Sequence, residues 1–365
     1  MHTMKLRVIS GYSESDKPTI DMDKIDFVQT WVDCSDPAWR ARKEAVWQQM
    51  YPGEKPLTKA TANDESRYRE MGLFEFWFRA VEKFAPWVHK IYLITPRGQK
   101  PEWLNTAHPK LVLVSQEDYL PANYPPIFNS IPVEMHLHRI PELAEQFVLF
   151  NDDMFLIRPV VPEFFFRNSL PCLPADLTLC DYFGYDHWSM TCFNDYCVVN
   201  DCFDIHDSIR KNRNKWFNPR MLGVKTALKN FLCYKINRTL SVKGYEHLPV
   251  AHLKSTFEAG WNACPKILDA SSRQVFRAND QVNHLMFCAW NQAAGRFHPE
   301  KPYSRGSHYN ISTGNVEEIC SVIRNQSVPQ ICLNDSEAND DPERCFGAIR
   351  KALDAILPEK SQFEL

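Results

Sequence analysis

Hydrophobic and polar positions along the chain follow two alternating periods. Ile25–Asp33 (IDFVQTWVD) repeats at period two and is rich in β-branched and aromatic residues, which predicts a buried strand ending in a polar turn. Asp36-Pro37 opens a helix running through Trp39 to Met50, with proline at its first turn. Asn63–Ser66 has the composition of a helix N-cap, ahead of Tyr68, Met71, Leu73, Phe74, Phe76, Trp77 and Val81 at helical spacing; Ala85-Pro86 ends that helix. Val88–Thr95 and Leu111–Ser115 are apolar runs of strand length, joined through a turn at Pro101–Leu104. Ser130–Leu143 predicts a helix and Gln146–Phe150 a fully apolar fourth strand. Strand and helix alternate over residues 25–157, the pattern of an α/β domain whose mainly parallel central sheet is flanked by helices, Rossmann-like in layout.

Residues 168–245 break the pattern. They carry cysteines and aromatics, then the basic stretch Arg210–Trp216 (RKNRNKW) and an amphipathic helix over Asn218–Asn230, which predicts a mostly helical insertion covering the sheet edge and meeting an acceptor. Residues 246–365 return to the α/β body, with helices around Thr256–Asn262 and Asp280–Ala294, a late strand at Pro329–Leu333 and a closing helix over Pro342–Leu357. The expected organisation is a flexible arm over 1–24, two catalytic halves over 25–167 and 246–365, and the insertion between them.

Composition narrows the chemistry. Of 365 residues, 42 are Lys or Arg and 45 Asp or Glu, so a net charge of -3 offers no basic surface for a nucleic acid. Twelve Gly stand against 25 Pro, and neither G-x-G-x-x-G nor a G-K-[ST] loop occurs, so phosphate chemistry here falls to charged side chains and metal. No apolar run reaches the length of a membrane span, and the first 24 residues lack a secretory h-region. The twelve scattered cysteines form no C-x-x-C pair and predict free thiols in a cytoplasmic protein; Cys192–Cys202 fits a zinc knuckle poorly.

Asn151-Asp152-Asp153 follows the fourth strand directly. Two adjacent carboxylates repel one another, and a divalent cation bridging phosphate oxygens relieves this best; a solvated turn is the bland alternative. Asp33 ends another strand, and in an open α/β sheet ligands gather at such carboxyl ends. Glu134, His136, His138 and Arg139 lie on the helix leading into the fourth strand. Imidazoles two apart on a helix splay too widely for zinc, which favours a role facing phosphate or supporting the residues that do. His252, at a loop-to-helix boundary, is a candidate general base. Arg277 offers a planar fork for a phosphoryl group, and Asp280 either caps the next helix or binds metal. Asn334-Asp335 repeats the strand-end carboxylate pattern.

The blocks IDFVQTWVDCSDP, ESRYREMGLFEFWFRAVEKFAPWVHKIYLITPRGQKPEWLN, FNSIPVEMHLHRIPELAEQFVLFNDDMFL, HLPVAHLKSTFEAGW with VFRANDQVNHL, and ICLND ending in SQFE resemble, collinearly over roughly 25–167 and 246–365, the Stealth family of sugar phosphotransferases. The resemblance implies a GT-A-like nucleotide-sugar fold. It implies transfer of a hexose- or N-acetylhexosamine-1-phosphate from a UDP-sugar to a hydroxyl of an acceptor glycan, with UMP released, a phosphodiester formed and Mg²⁺ (or Mn²⁺) required. It assigns catalysis to His252, Arg277, Asp152, Asp153 and Asp280, metal binding to the same three aspartates, and substrate contacts to Asp33, Arg67, Ser130, Glu134, His136, Arg139, Asn151 and Asn334. The family often has glycine where Cys34 stands, so the turn after Asp33 is expected to differ. A conventional glycosyltransferase releasing UDP, or a non-catalytic glycan-binding module, remains an alternative. The basic stretch at Lys211–Lys215 is the expected point of peripheral attachment to the inner face of the cell membrane.

Overall fold

Five strands make the central sheet. β1 (Ile25–Thr30), β2 (Ile91–Thr95), β3 (Leu111–Ser115) and β4 (Gln146–Phe150) run parallel in the order β4-β1-β2-β3, and the strand Val250–Leu253 closes the β4 edge antiparallel. This computed structural model describes residues 24–53, 65–179, 184–243, 247–301, 305–336 and 339–365; the expected N-terminal arm and the expected cap at Asn63-Asp64 fall outside them.

Alternation along each strand builds two cores. Phe27, Ile91, Leu93, Val148 and Phe150 face a core shared with the helices Phe74–Phe84, Val316–Arg324 and Pro342–Ile356. Val28, Tyr92, Ile94, Phe147 and Leu149 face a second core, filled by helices Lys254–Ala263 and Leu285–Ala294 and by the insertion's helix His187–Cys202. The insertion is therefore part of the body's own core. A three-stranded sheet joins β5 (Met154–Leu156) to the parallel strands Gly306–Asn310 and Gln330–Asn334.

Strand order reverses between β1 and β4. Crossovers leave β1 in one direction toward β2 and return from β3 past β1 to β4, so a crevice opens at the carboxyl ends of β1 and β4. Asp33 and Asn151–Asp153 border it.

Several expected elements differ. The helix expected over Asn218–Asn230 is two helices, Pro219–Leu222 and Val224–Ile236, broken at Gly223 with φ +81°. The helix expected from Tyr68 breaks: a 3₁₀ turn covers Glu65–Tyr68, Gly72 adopts φ +64°, and the helix starts at Phe74. The helix from Ser130 stops at Met135, and Leu137–Arg139 is a 3₁₀ turn. There the His136 ring Nδ1, 2.8 Å from the Pro132 carbonyl, takes the acceptor a continuing helix needs, and Pro141 bars helical backbone at Ile140. The last concerns His252, which lies in the antiparallel edge strand opposite Phe147 rather than in a loop.

Candidate active site

The crevice floor is the turn after β4. Asp152 is pushed up to about 7 by surrounding protein, then by Asp153 and Glu70, with Arg277 pulling it back down. It nonetheless keeps an exposed flank, which places it on the wall of an open cleft where water limits that push. Cys34 lies beneath the same group: burial first, and Asp152 next, raise its thiol to about 12, so it stays protonated. Glu70 is raised by burial and by Asp33. Asp33 thus acts on Glu70, and Glu70 on Asp152, around the end of β1.

Asp153 points the other way. Burial alone would raise it, but His247, the Cys332 thiol and His308 outweigh burial and hold it below the usual range. His247 Nε2 lies 3.4 Å from Asp153 Oδ2, and Cys332 Sγ donates to the same oxygen at 3.3 Å. Asp153 Oδ1 is buried with no hydrogen-bond partner among the described residues. The edge of Trp188, from the insertion, meets the His247 ring at 5.4 Å. His308 stands in register with Cys332 on the neighbouring strand.

His252 is fully buried. Its Nε2 faces His284 Nδ1 at 3.1 Å, and its Nδ1 faces the Cys288 thiol at 3.8 Å. Burial, then His284, hold its imidazole neutral far below its ordinary range. His284 Nε2 is 3.9 Å from Glu134 Oε2, and Glu134 Oε1 accepts from Asn151 Nδ2 at 2.9 Å. A polar chain therefore runs from His252 through His284 and Glu134 to Asn151 at the crevice. His252 itself offers no nitrogen to an acceptor hydroxyl, a correction to its expected role as the base.

A small apolar cluster fixes the loop of Arg277, whose charge is among those acting on Asp152. Phe276 and Val275 pack with Trp39, Trp47, Phe128 and Cys34, and Phe128 N–H donates to the Val275 carbonyl at 2.9 Å. Cys34 is not among the residues of positive φ, so its turn does without the freedom of glycine.

The other expected residues scatter. Asp280 is exposed and caps no helix, since the helix at Leu285 follows His284. His136 is buried between Tyr124 and Trp261, with burial holding it down at about 4, so it supports the fold rather than facing phosphate. Arg139 is exposed on the Tyr124 side. Asn334 donates to Asn310 Oδ1 at 2.6 Å, and Ser130 opens its helix behind the Asn129 cap. Arg67 sits in the 3₁₀ turn beside the crevice, and its side chain lies outside the described residues.

Two groups of donor atoms lie close enough together to hold an ion: Asp153, His247 and Cys332, and Cys172, His298 and Glu300. Asp33, Glu70 and Asp152, whose oxygens would suit a hard ion such as Mg²⁺, are not gathered into such a group among the described residues. Asp153, His247 and Cys332 place one ligand atom each within 4.8 Å of one another, an oxygen, nitrogen and sulfur set suited to zinc. The expected trio Asp152, Asp153 and Asp280 is not gathered in this way among the described residues, because the two adjacent aspartates diverge.

Comparison with known proteins agrees with the geometry. Residues 23–50 match Stealth protein CR1, conserved region 1, and residues 67–172 match Stealth protein CR2, conserved region 2. Capsular polysaccharide phosphotransferase WcwK of Streptococcus pneumoniae is 37% identical over 351 residues, covering 94% of this chain and 99% of the relative. Receptor polysaccharide phosphotransferase WefC of Streptococcus oralis is 35% identical over 347 residues, covering 94% and 100%. Exopolysaccharide phosphotransferase cps2G of Lactiplantibacillus plantarum is 32% identical over 343 residues, covering 93% and 96%. With near full-length similarity to these enzymes and both conserved regions present, the chain belongs to the Stealth family and is a phosphotransferase.

Proposed function

We propose that the chain transfers a sugar-1-phosphate from a UDP-sugar to a hydroxyl of an acceptor glycan during capsular or exopolysaccharide synthesis. What supports this is the turn after β4, where Asp152, with Arg277 among the charges acting on it, and Asp153, paired with His247, are adjacent in the chain.

His247 is the general base. Asp153 orients its ring, and the acceptor hydroxyl passes its proton to the imidazole as the oxygen attacks the donor's β-phosphorus. The bond from that phosphorus to the bridging oxygen breaks, UMP leaves with the electron pair, and a phosphodiester remains. Arg277 neutralises the phosphoryl oxygens in the transition state, the main electrostatic demand of phosphoryl transfer. Asp152, with Asp33 and Glu70, would hold Mg²⁺, which supplies charge neutralisation at the pyrophosphate. His252, His284 and Glu134 hold Asn151 and the floor of the crevice in place.

A panel of UDP-sugars incubated with the full chain, Mg²⁺ and acceptor sugars tests the proposal by phosphorus NMR. Release of UMP with a new phosphodiester resonance supports it; release of UDP alone assigns conventional glycosyl transfer, and no turnover with any donor removes the UDP-sugar assignment.

A further inference from the structure

We propose that the helix Val224–Ile236, in the insertion, docks on an anionic lipid bilayer. Its buried face is set by Ala227, Asn230 and Cys233. Asn230 pins it to the body: its Oδ1 accepts from Leu177 N–H at 2.7 Å, and its Nδ2 donates to the Ala175 and Trp216 carbonyls at 2.7 and 2.8 Å. Held this way, the helix turns a second apolar face outward. Val224, Leu228, Phe231, Leu232 and Ile236 are 74, 58, 43, 52 and 70% exposed, and their spacing puts them on one stripe. An outward stripe of this kind on a soluble surface marks an interaction site.

Charge selects the occupant. From Ser208 to Arg238 there are nine Lys or Arg and no Asp or Glu, in a chain whose net charge is -3; four of them, Arg210, Lys211, Lys215 and Lys229, are engaged by Asp207, Asp176 and backbone carbonyls. Lys225 and Lys235 are exposed along the stripe, where long stems lie over apolar surface while the ammonium groups reach phosphate headgroups. A second copy is disfavoured, because an isologous contact would set this cationic face against itself. The basic stretch expected to make the attachment is largely engaged elsewhere. Arg210 and Lys211 pair with Asp207, and Lys215 Nζ donates to the Gly295 and Phe297 carbonyls at 2.6 and 2.7 Å. The docking surface is the helix, and it stands independently of the phosphotransfer chemistry. It places the enzyme where an acceptor carried on a lipid would be presented.

Flotation of the full chain with vesicles tests this. Vesicles containing phosphatidylglycerol should carry the protein, vesicles of phosphatidylcholine alone should carry far less, and added salt should release it. Leu228→Ser with Leu232→Ser and Ile236→Ser should weaken binding at least about tenfold, and Lys225→Glu with Lys235→Glu should abolish the preference for anionic lipid. These side chains are exposed, so both variants should keep the wild-type melting temperature. Failure to float with either lipid would overturn the proposal, as would undiminished binding by the apolar variant. A concentration-dependent dimer that the apolar variant dissociates, without vesicle binding, would assign the face to self-association instead.

Discussion

His247 Nε2 stands 3.4 Å from Asp153 Oδ2, while His252, on the same segment, is sealed against His284 with no exposure. The edge strand Val250–Leu253, which carries His252 and begins three residues after His247, runs antiparallel to β4, with Val250 opposite Leu149 and His252 opposite Phe147. Moving back along it from His252 leads toward the carboxyl tip of β4. Of the two histidines, His247 is the one proposed as the base.

Substitution should separate their roles. His247→Ala should lower turnover roughly 10²–10⁴-fold with little change in melting temperature. His252→Ala should lower the melting temperature through the cavity and the broken contact with His284, with a smaller loss of turnover in the protein that remains folded. Steady-state donor turnover and thermal unfolding, measured on both variants, check the assignment.

The adjacent aspartates should respond to pH with opposite signs. Asp152 is raised from its ordinary 3.8 to about 7 by crowding and by Asp153. Protonation of Asp152 therefore favours the folded chain, and that contribution is lost as pH rises through about 7. Asp153 is lowered, so its contribution is present above its ordinary value and lost on acidification. Without metal at about pH 8, Asp152→Asn should raise the melting temperature and Asp153→Asn should lower it; the first difference should shrink as pH falls below about 7, the second only below the ordinary carboxylate value of 3.8. Thermal unfolding across pH measures this. The Mg²⁺ concentration needed for half-maximal rate should also rise as pH falls below about 7, because Asp152 must lose its proton to bind the ion.

Zinc should inhibit. Asp153, His247 and Cys332 form a set that suits Zn²⁺ better than Mg²⁺, and capture of His247 would remove the base. Micromolar Zn²⁺ should suppress turnover in the presence of Mg²⁺, and Cys332→Ser should relieve that suppression while retaining activity. Rates titrated with Zn²⁺ for the two proteins give the comparison.

Arg277 should matter through charge. Arg277→Ala should reduce turnover roughly 10²–10³-fold, and Arg277→Lys should recover only part of it, because a single ammonium lacks the guanidinium's paired donors. Rates at saturating donor distinguish this from weaker binding.

Much of this architecture was legible in the chain. Period-two alternation placed β1 and short apolar runs placed β3 and β4 closely, and the strand-end rule pointed to Asp33 and Asp152. What was hidden depends on direction and on distant contacts. The segment VAHL carries no mark of running antiparallel, so His252 drew attention and His247, in the H-x-P just before it, did not. That two neighbouring aspartates diverge follows from Cys332 and His308, far along the chain. His136 looked like a phosphate contact at helical spacing, but its ring nitrogen ends the helix instead. The aromatic cluster of Trp39, Trp47 and Phe276 that delivers Arg277 exists only after folding.

The most direct measurement follows oxygen from acceptor to product. With the attacking acceptor hydroxyl labelled with oxygen-18 and a UDP-sugar donor, phosphorus NMR should show UMP release and an isotope shift on the phosphodiester resonance, because the labelled oxygen becomes bound to phosphorus. Release of UDP, with the label bound to the sugar's anomeric carbon and no phosphodiester formed, would contradict the account.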